Sequence, residues 1–411
     1  MGEVEREGWA WGPVAAVVVV GLSCGFATTL PVATLAEVAR RFGSPHATAS
    51  LAEQAGLAGS VLGLGLATLR MAAIAGMPIA ALADRMGRRS VMVRAAGFGF
   101  GATALAAFAP SFWTLVLAFA LARPLLAAAM AVAQIAVVEL APGSGRSGAA
   151  GALAAGYGIG GGLAALADNL VPVSLGYRFL YLLTLVPLLG LYLWRHRIPE
   201  PEHYLAAISD ERPRLRSLGP VLGPRAMRVA ALAFLVSFAA GPANSFLFVY
   251  AKNVAHVPRA TVAAMVGASA ITGIGGLLIG RRIADRIGRK PALAGGVIAV
   301  VASALVVYSG SRPAVVFGYL LGVGAGGFIS PAATPFINEL FPTRARGAVA
   351  GVNVVAGVLG AVSGLLWFGW MANGGSYATA AWLTFPLALV TLVILRGMPE
   401  TLGGSLEEVP S

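Results

Sequence analysis

Residues 84–89 read Asp84-Arg85-Met86-Gly87-Arg88-Arg89, and 201 residues further on the chain reads Asp285-Arg286-Ile287-Gly288-Arg289-Lys290. A second pattern behaves the same way: Glu139-x-x-Pro142-x-x-x-Arg146 returns 200 residues later as Glu339-x-x-Pro342-x-x-x-Arg346. Two matching offsets in one chain mark an internal duplication. Each charged hexapeptide lies between two long apolar runs, so the charges punctuate a membrane pattern.

Working outward from these loops, apolar stretches of the roughly 20 residues needed to cross about 30 Å of hydrocarbon recur along the chain. They fall at 13–36, 56–82, 90–108, 113–138, 148–168, 178–194, 226–250, 260–280, 291–309, 313–338, 347–371 and 376–395, which predicts twelve spans. The fold class expected is all-α: a polytopic membrane protein of 12 transmembrane helices in two pseudo-symmetric six-helix bundles. The first bundle is expected over 1–194, a basic linker over 195–225, the second bundle over 226–397, and a tail over 398–411. Composition agrees. The 411 residues are 58% hydrophobic and only 11% charged, with a mean hydropathy of +0.81, whereas soluble domains carry about 25% charged residues. The 54 glycines suit helices that must approach closely in lipid. A membrane β-barrel would show alternating ten-residue segments instead of continuous apolar runs.

The basic residues set the expected orientation. With the N-terminus inside, 21 of the 29 Lys and Arg fall on the cytoplasmic side, six fall outside, and only Arg70 and Arg123 remain within the membrane. Both termini are therefore expected in the cytoplasm of a multi-pass protein of the cell (plasma or inner) membrane. The net charge of +12 follows from this topology and from anionic headgroups, not from nucleic-acid binding. The segment Met1–Gly8 lacks the basic region of a cleavable signal peptide, so the first span is expected to be retained. Cys24 is the one cysteine, which rules out an internal disulfide.

On these motifs the sequence resembles the major facilitator superfamily over essentially its whole length. The two D-R-x-G-R-[RK] loops match that superfamily's loop motif, with Ala80 and Arg281 where a glycine is usual. The paired E-x-x-P-x-x-x-R loops are similar to those of its sugar porter and metabolite:proton symporter branch. So are Pro199-Glu200-Pro201-Glu202-His203-Tyr204-Leu205 after the sixth span, and Pro399-Glu400-Thr401 with Ser405-Leu406-Glu407-Glu408 after the twelfth. Asp84, Arg85, Arg88, Arg89, Glu139 and Arg146, with Asp285, Arg286, Arg289, Lys290, Glu339 and Arg346, are expected to form a cytoplasmic gate. There, charge-assisted hydrogen bonds at helix ends would hold the two halves together.

Charges inside the membrane cost at least about 2.5–3.5 kcal/mol each at the bilayer centre and therefore tend to face a cavity. Arg70 precedes Asp84 by about 21 Å of helix, and Arg123 precedes Glu139 by about 24 Å, which puts both deep in the bilayer. Arg123 also matches the fourth-span arginine of the superfamily. Gln134, eleven residues on, shares its helix face. Tyr157 and Asp168 have the same spacing in the fifth span, with Gly161 and Ala164 leaving room between them. Asn244, on one face of the seventh span with Ser237, and Asn353 in the eleventh complete the substrate-binding candidates, Arg70, Arg123, Gln134, Tyr157, Asn244 and Asn353. Trp367 and Trp370 read as an interfacial belt. The resemblance implies an aspartate in the first span of sugar–proton symporters, but here Ser23, Cys24, Thr28 and Thr29 occupy that helix. Asp168, Glu37 and Glu53 are then the proton-coupling candidates.

Enzymatic chemistry has no constellation to rest on. His46, His196, His203 and His256 are scattered, with no pair at metal-ligand spacing, and no G-x-x-x-x-G-K-[ST] loop is present to bind ATP. No cofactor or metal is expected. Gly158-Ile159-Gly160-Gly161-Gly162 falls within a span and reads as close helix packing, not as a nucleotide loop. The function expected is secondary active transport of a small organic solute, an anion or other metabolite, with proton symport and as a monomer. The alternatives are a facilitator or a proton-coupled drug exporter of the same fold, and a transport-dead nutrient sensor. Export is disfavoured because the fifth span lacks the Gly-Pro pair of the superfamily's exporters.

Overall fold

The computed structural model describes residues 3–43, 57–141, 145–172, 174–195, 199–200, 223–341, 343–374 and 376–401. Among them the regular structure is entirely helical, and 12 helices are long and apolar enough to cross a membrane. The expected and observed spans correspond one to one, with ends that differ by six residues or fewer. The eighth span runs from Arg259 to Arg286, six residues beyond the apolar run. Helix hydrogen bonding does not stop where hydrocarbon stops, and Arg281 and Arg289 each pair with Asp285 one turn away.

The chain groups into two compact units, residues 1–38 with 68–213 and residues 39–67 with 214–411. Residues 39–67 join the second unit through tight small-residue contacts. A methyl placed on Gly63 would lie 2.6 Å from the Leu365 carbonyl oxygen, and Ser60 N–H donates to Asn373 Oδ1 at 3.2 Å.

Glycine decides which helices touch within each unit. In the first unit, a side chain on Gly25 would overlap the backbone of Tyr157, and one on Gly160 that of Leu22, so the first and fifth spans are in backbone contact. Gly160 and Gly161 of the glycine run therefore pack as expected, whereas Gly158 and Gly162 face open space. In the second unit, Gly360 and Gly364 sit against the backbones of Phe234 and Phe238, joining the seventh and eleventh spans. Val17, Cys24, Met92, Phe100, Leu126 and Leu153 are buried in the first core. Phe246, Tyr308, Phe368, Tyr377 and Phe385 form a mutually contacting aromatic cluster in the second.

The duplication extends to helix starts. Ser111 opens the fourth span by accepting a hydrogen bond from Thr114 N–H at 3.2 Å, and Ser311, 200 residues later, opens the tenth by accepting one from Ala314 N–H at 3.3 Å. A serine oxygen in this position satisfies one of the orphan N–H groups of the first turn.

Candidate functional site

Three of the substrate-binding candidates converge inside the first unit. Arg70 comes from helix Gly59–Ala72, Arg123 from the fourth span Phe112–Leu140, and Tyr157 from the fifth span Arg146–Leu170. Each sits eleven residues from an end of its helix, about 16 Å in, which is mid-bilayer depth for all three. The two guanidiniums lie within electrostatic reach of each other and of Tyr157. Arg123 Nη1 also donates to the Thr28 carbonyl oxygen of the first span at 3.3 Å. Among the described residues neither arginine forms an ion pair with a carboxylate. Two like charges at this depth repel, and both donate in fixed forks, so a bound anion would relieve the repulsion and fill the donors.

The remaining candidates are placed differently. Gln134 is exposed on the fourth span. Asn244 and Asn353 belong to the second unit. Asn244 donates back to the Ala240 carbonyl oxygen at 2.9 Å, which makes it a local helix bond. Asn353 Oδ1 is buried without a hydrogen-bond partner among the described residues. Trp367 and Trp370 are exposed and contact each other.

Asp168 and Glu37 meet at the end of the first unit opposite the charged loops. Asp168 is 2% exposed, and both carboxyls lie within electrostatic reach of the buried Tyr181. The Tyr181 hydroxyl is 2.6 Å from Thr34 Oγ1, Tyr177 N–H donates to Glu37 Oε1 at 3.2 Å, and Phe119 packs edge-on against Tyr181. The room expected between Tyr157 and Asp168 is filled. Ala164 is fully buried, and a side chain on Gly161 would meet Thr29 Oγ1 at 2.9 Å. Asp168 therefore belongs to this tyrosine cluster, about 16 Å along the helix from Tyr157. Glu53 lies outside the described residues.

The gate candidates form two matching clusters, one in each unit. In the first, Arg88 Nε stands 2.7 Å from Glu139 and Nη2 stands 3.9 Å from Asp84. In the second, Arg289 stands 2.8 Å from Asp285 and 3.6 Å from Glu339. The Arg88 and Arg289 side chains are 16% and 15% exposed, while Asp84 is 76% exposed, so the partly shielded pairs are those with the arginine at the centre. Arg85 and Arg286 are exposed, and the side chains of Arg146 and Arg346 lie outside the described residues. Every pair just given closes within one unit.

One glutamate outside the expected gate completes each cluster. Glu200 accepts hydrogen bonds from the backbone N–H groups of Arg88 and Arg89, the latter at 3.2 Å. Glu400 accepts from those of Arg289 and Lys290 at 2.8 and 3.0 Å. Lys290 Nζ donates to the Met398 carbonyl oxygen, and Thr401 donates to Glu339. A carboxylate on the first turn of a helix satisfies orphan donors and complements the helix dipole. Gly87 and Gly288 make room for it. Their φ angles are +93° and +135°, and a side chain on either would lie within 3.0 Å of the glutamate carboxylate. The signal was present in the sequence as Pro199-Glu200 and Pro399-Glu400, again 200 residues apart.

The sequence pattern of the Major Facilitator Superfamily matches residues 15–320 and again 256–409. The chain is 25% identical over 375 residues to a probable 4-methylmuconolactone transporter of Cupriavidus pinatubonensis (strain JMP 134 / LMG 1197), covering 84% of this chain and 83% of that one. In structure it is similar to the xylose transporter XylE from E. coli, with a TM-score of 0.76 at 17% identity, covering 97% and 99% of the two chains. It is also similar to the human organic anion transporter MFSD10, with a TM-score of 0.66 at 16% identity, covering 94% and 99%.

Proposed function

The chain belongs to the Major Facilitator Superfamily and is a multi-pass membrane transporter of small solutes, and from that premise we propose that it carries a small organic anion by alternating access with proton symport. The observation that carries this reading is the Arg70–Arg123 pair beside Tyr157, two mid-membrane cations with no carboxylate paired to them among the described residues. A substrate carboxylate would accept from both forks, with Tyr157 adding a hydroxyl for orientation. The names of the muconolactone transporter and the organic anion transporter support a metabolite of this size and charge.

In this reading Asp168 is the proton carrier and Glu37 its neighbour on the Tyr181 cluster. Protonation there would be coupled to the substrate site through the shared fifth span, about 16 Å away. The charged clusters face the cytoplasm, both termini are inside, and the protein works as a monomer in the cell membrane. The test is uptake of radiolabelled organic acids into proteoliposomes under an imposed pH gradient. Accumulation driven by an inward proton gradient supports symport. Equilibration without accumulation indicates a facilitator, and efflux against the gradient indicates an exporter.

A further inference from the structure

A second binding feature lies on the first unit, away from the arginine pair. An apolar groove of about 980 Å³ runs between the third and sixth spans. Gly97 and Gly101 form its floor. Phe98, Leu105, Leu125 and Leu188 are among its walls, and Arg94 is the one charged residue in it. Gly101 faces open space, with no atom within 4 Å of where a side chain would begin.

Arg94 requires an explanation. It lies six residues into the third span, about 9 Å past the start of that helix, where an unpaired charge is costly. It is exposed, with no hydrogen bond or ion pair among the described residues. The duplication offers no reason for it, since the residue six positions after Arg289 is Gly295. Arg195 lies seven residues after Leu188 on the sixth span, two turns further toward the charged end and on the same helix face. It stacks on Tyr192 at 4.5 Å. From Arg94 to Phe108 is about 21 Å of helix, more than half of the roughly 30 Å hydrocarbon core. The groove is thus long enough for an acyl chain, apolar along its length, and cationic at the end nearer the charged loops.

We propose that this groove binds one anionic phospholipid of the leaflet bordering the charged loops, with its phosphate at Arg94 and Arg195 and an acyl chain laid over Gly97 and Gly101. Long arginine side chains reach from such positions to the headgroup level, and basic pockets between spans recognise anionic headgroups. The occupant differs from the transported solute in size and in place.

The test is native mass spectrometry of the full-length protein released from mixed micelles containing equal amounts of phosphatidylglycerol and phosphatidylcholine. The wild type should retain phosphatidylglycerol in preference, and Arg94→Gln should cut that preference about fivefold. Gly101→Leu fills the open floor without a clash and should displace the lipid whatever its headgroup. Circular dichroism and elution volume confirm that each variant is folded. Equal retention of the two lipids by the wild type, or unchanged phosphatidylglycerol in both variants, overturns the proposal. Loss in Gly101→Leu with no change in Arg94→Gln also overturns it, because the groove would then hold chains without reading a headgroup.

Discussion

The two units carry nearly the same charged cluster and very different membrane interiors. Asp84, Arg88, Glu139 and Glu200 correspond to Asp285, Arg289, Glu339 and Glu400, down to a positive-φ glycine before each arginine. A geometric difference is which acid the arginine leans on. Arg88 is closest to its glutamate at 2.7 Å, and Arg289 to its aspartate at 2.8 Å. Inside the membrane the correspondence ends. By the same offsets Arg70 becomes Ile271, which is 77% exposed, and Arg123 becomes Val323. The interior of the second unit has an aromatic cluster, Asn244 and Asn353 instead of cations. Duplication preserved what fastens helix ends, and the two mid-membrane arginines rest in one half.

This contrast can be tested from its largest consequence downward. Arg123→Ala should abolish saturable organic-acid uptake in proteoliposomes at equal protein abundance, and Arg123→Lys should restore only part of it, since an ammonium cannot grip a carboxylate as a planar fork does. The matched change in the second unit, Val323→Ala, should leave uptake within about twofold of wild type at a stability cost of about 0.5–1.5 kcal/mol. Equal losses at the two positions would break the asymmetry.

Next in size is coupling. Asp168→Asn is expected to retain exchange of solute between two filled compartments while losing accumulation driven by an inward proton gradient. Accumulation that persists would remove Asp168 as carrier and turn attention to Glu37 and Glu53.

Smaller effects test the shared part. Gly87→Ala and Gly288→Ala each force a side chain into a left-handed backbone and against a glutamate, and each should destabilise by about 1–3 kcal/mol in chemical unfolding in detergent. Ser111→Ala and Ser311→Ala should each cost about 1 kcal/mol, and equally, as removal of an N-cap does. A cost confined to one unit would mean that the duplicated ends are no longer equivalent.

Most of the fold was legible in the sequence because apolar length and charged punctuation are strong, local signals. Twelve runs became twelve spans, and the largest error arose where a helix outlasted its apolar stretch, at Arg281–Arg286. The site was legible in part. A cation deep in a span announces itself, so Arg70 and Arg123 stood out and were brought together. Among the polar candidates, Gln134 is exposed on its span and Asn244 makes a local helix bond, since an uncharged side chain in a span serves such a bond as readily as a ligand. Spacing put Tyr157 and Asp168 on one face, but it cannot report that the first span, with Thr29 against Gly161, fills that face. Glu200 and Glu400 were overlooked as partners because contacts 111 and 112 positions away in sequence carry no local signal, although their own repetition did.

Binding of a carboxylate by Arg70 and Arg123 can be read without transport. Purified protein is heated with a panel of small organic acids and, separately, with their uncharged amides. A ligand that binds only the folded state raises the melting temperature in proportion to ln(1 + [L]/Kd). The expected result is concentration-dependent stabilisation by at least one carboxylate, none by its amide, and loss of the effect in Arg123→Ala. Equal stabilisation by acid and amide, or an undiminished carboxylate shift in Arg123→Ala, would contradict the account.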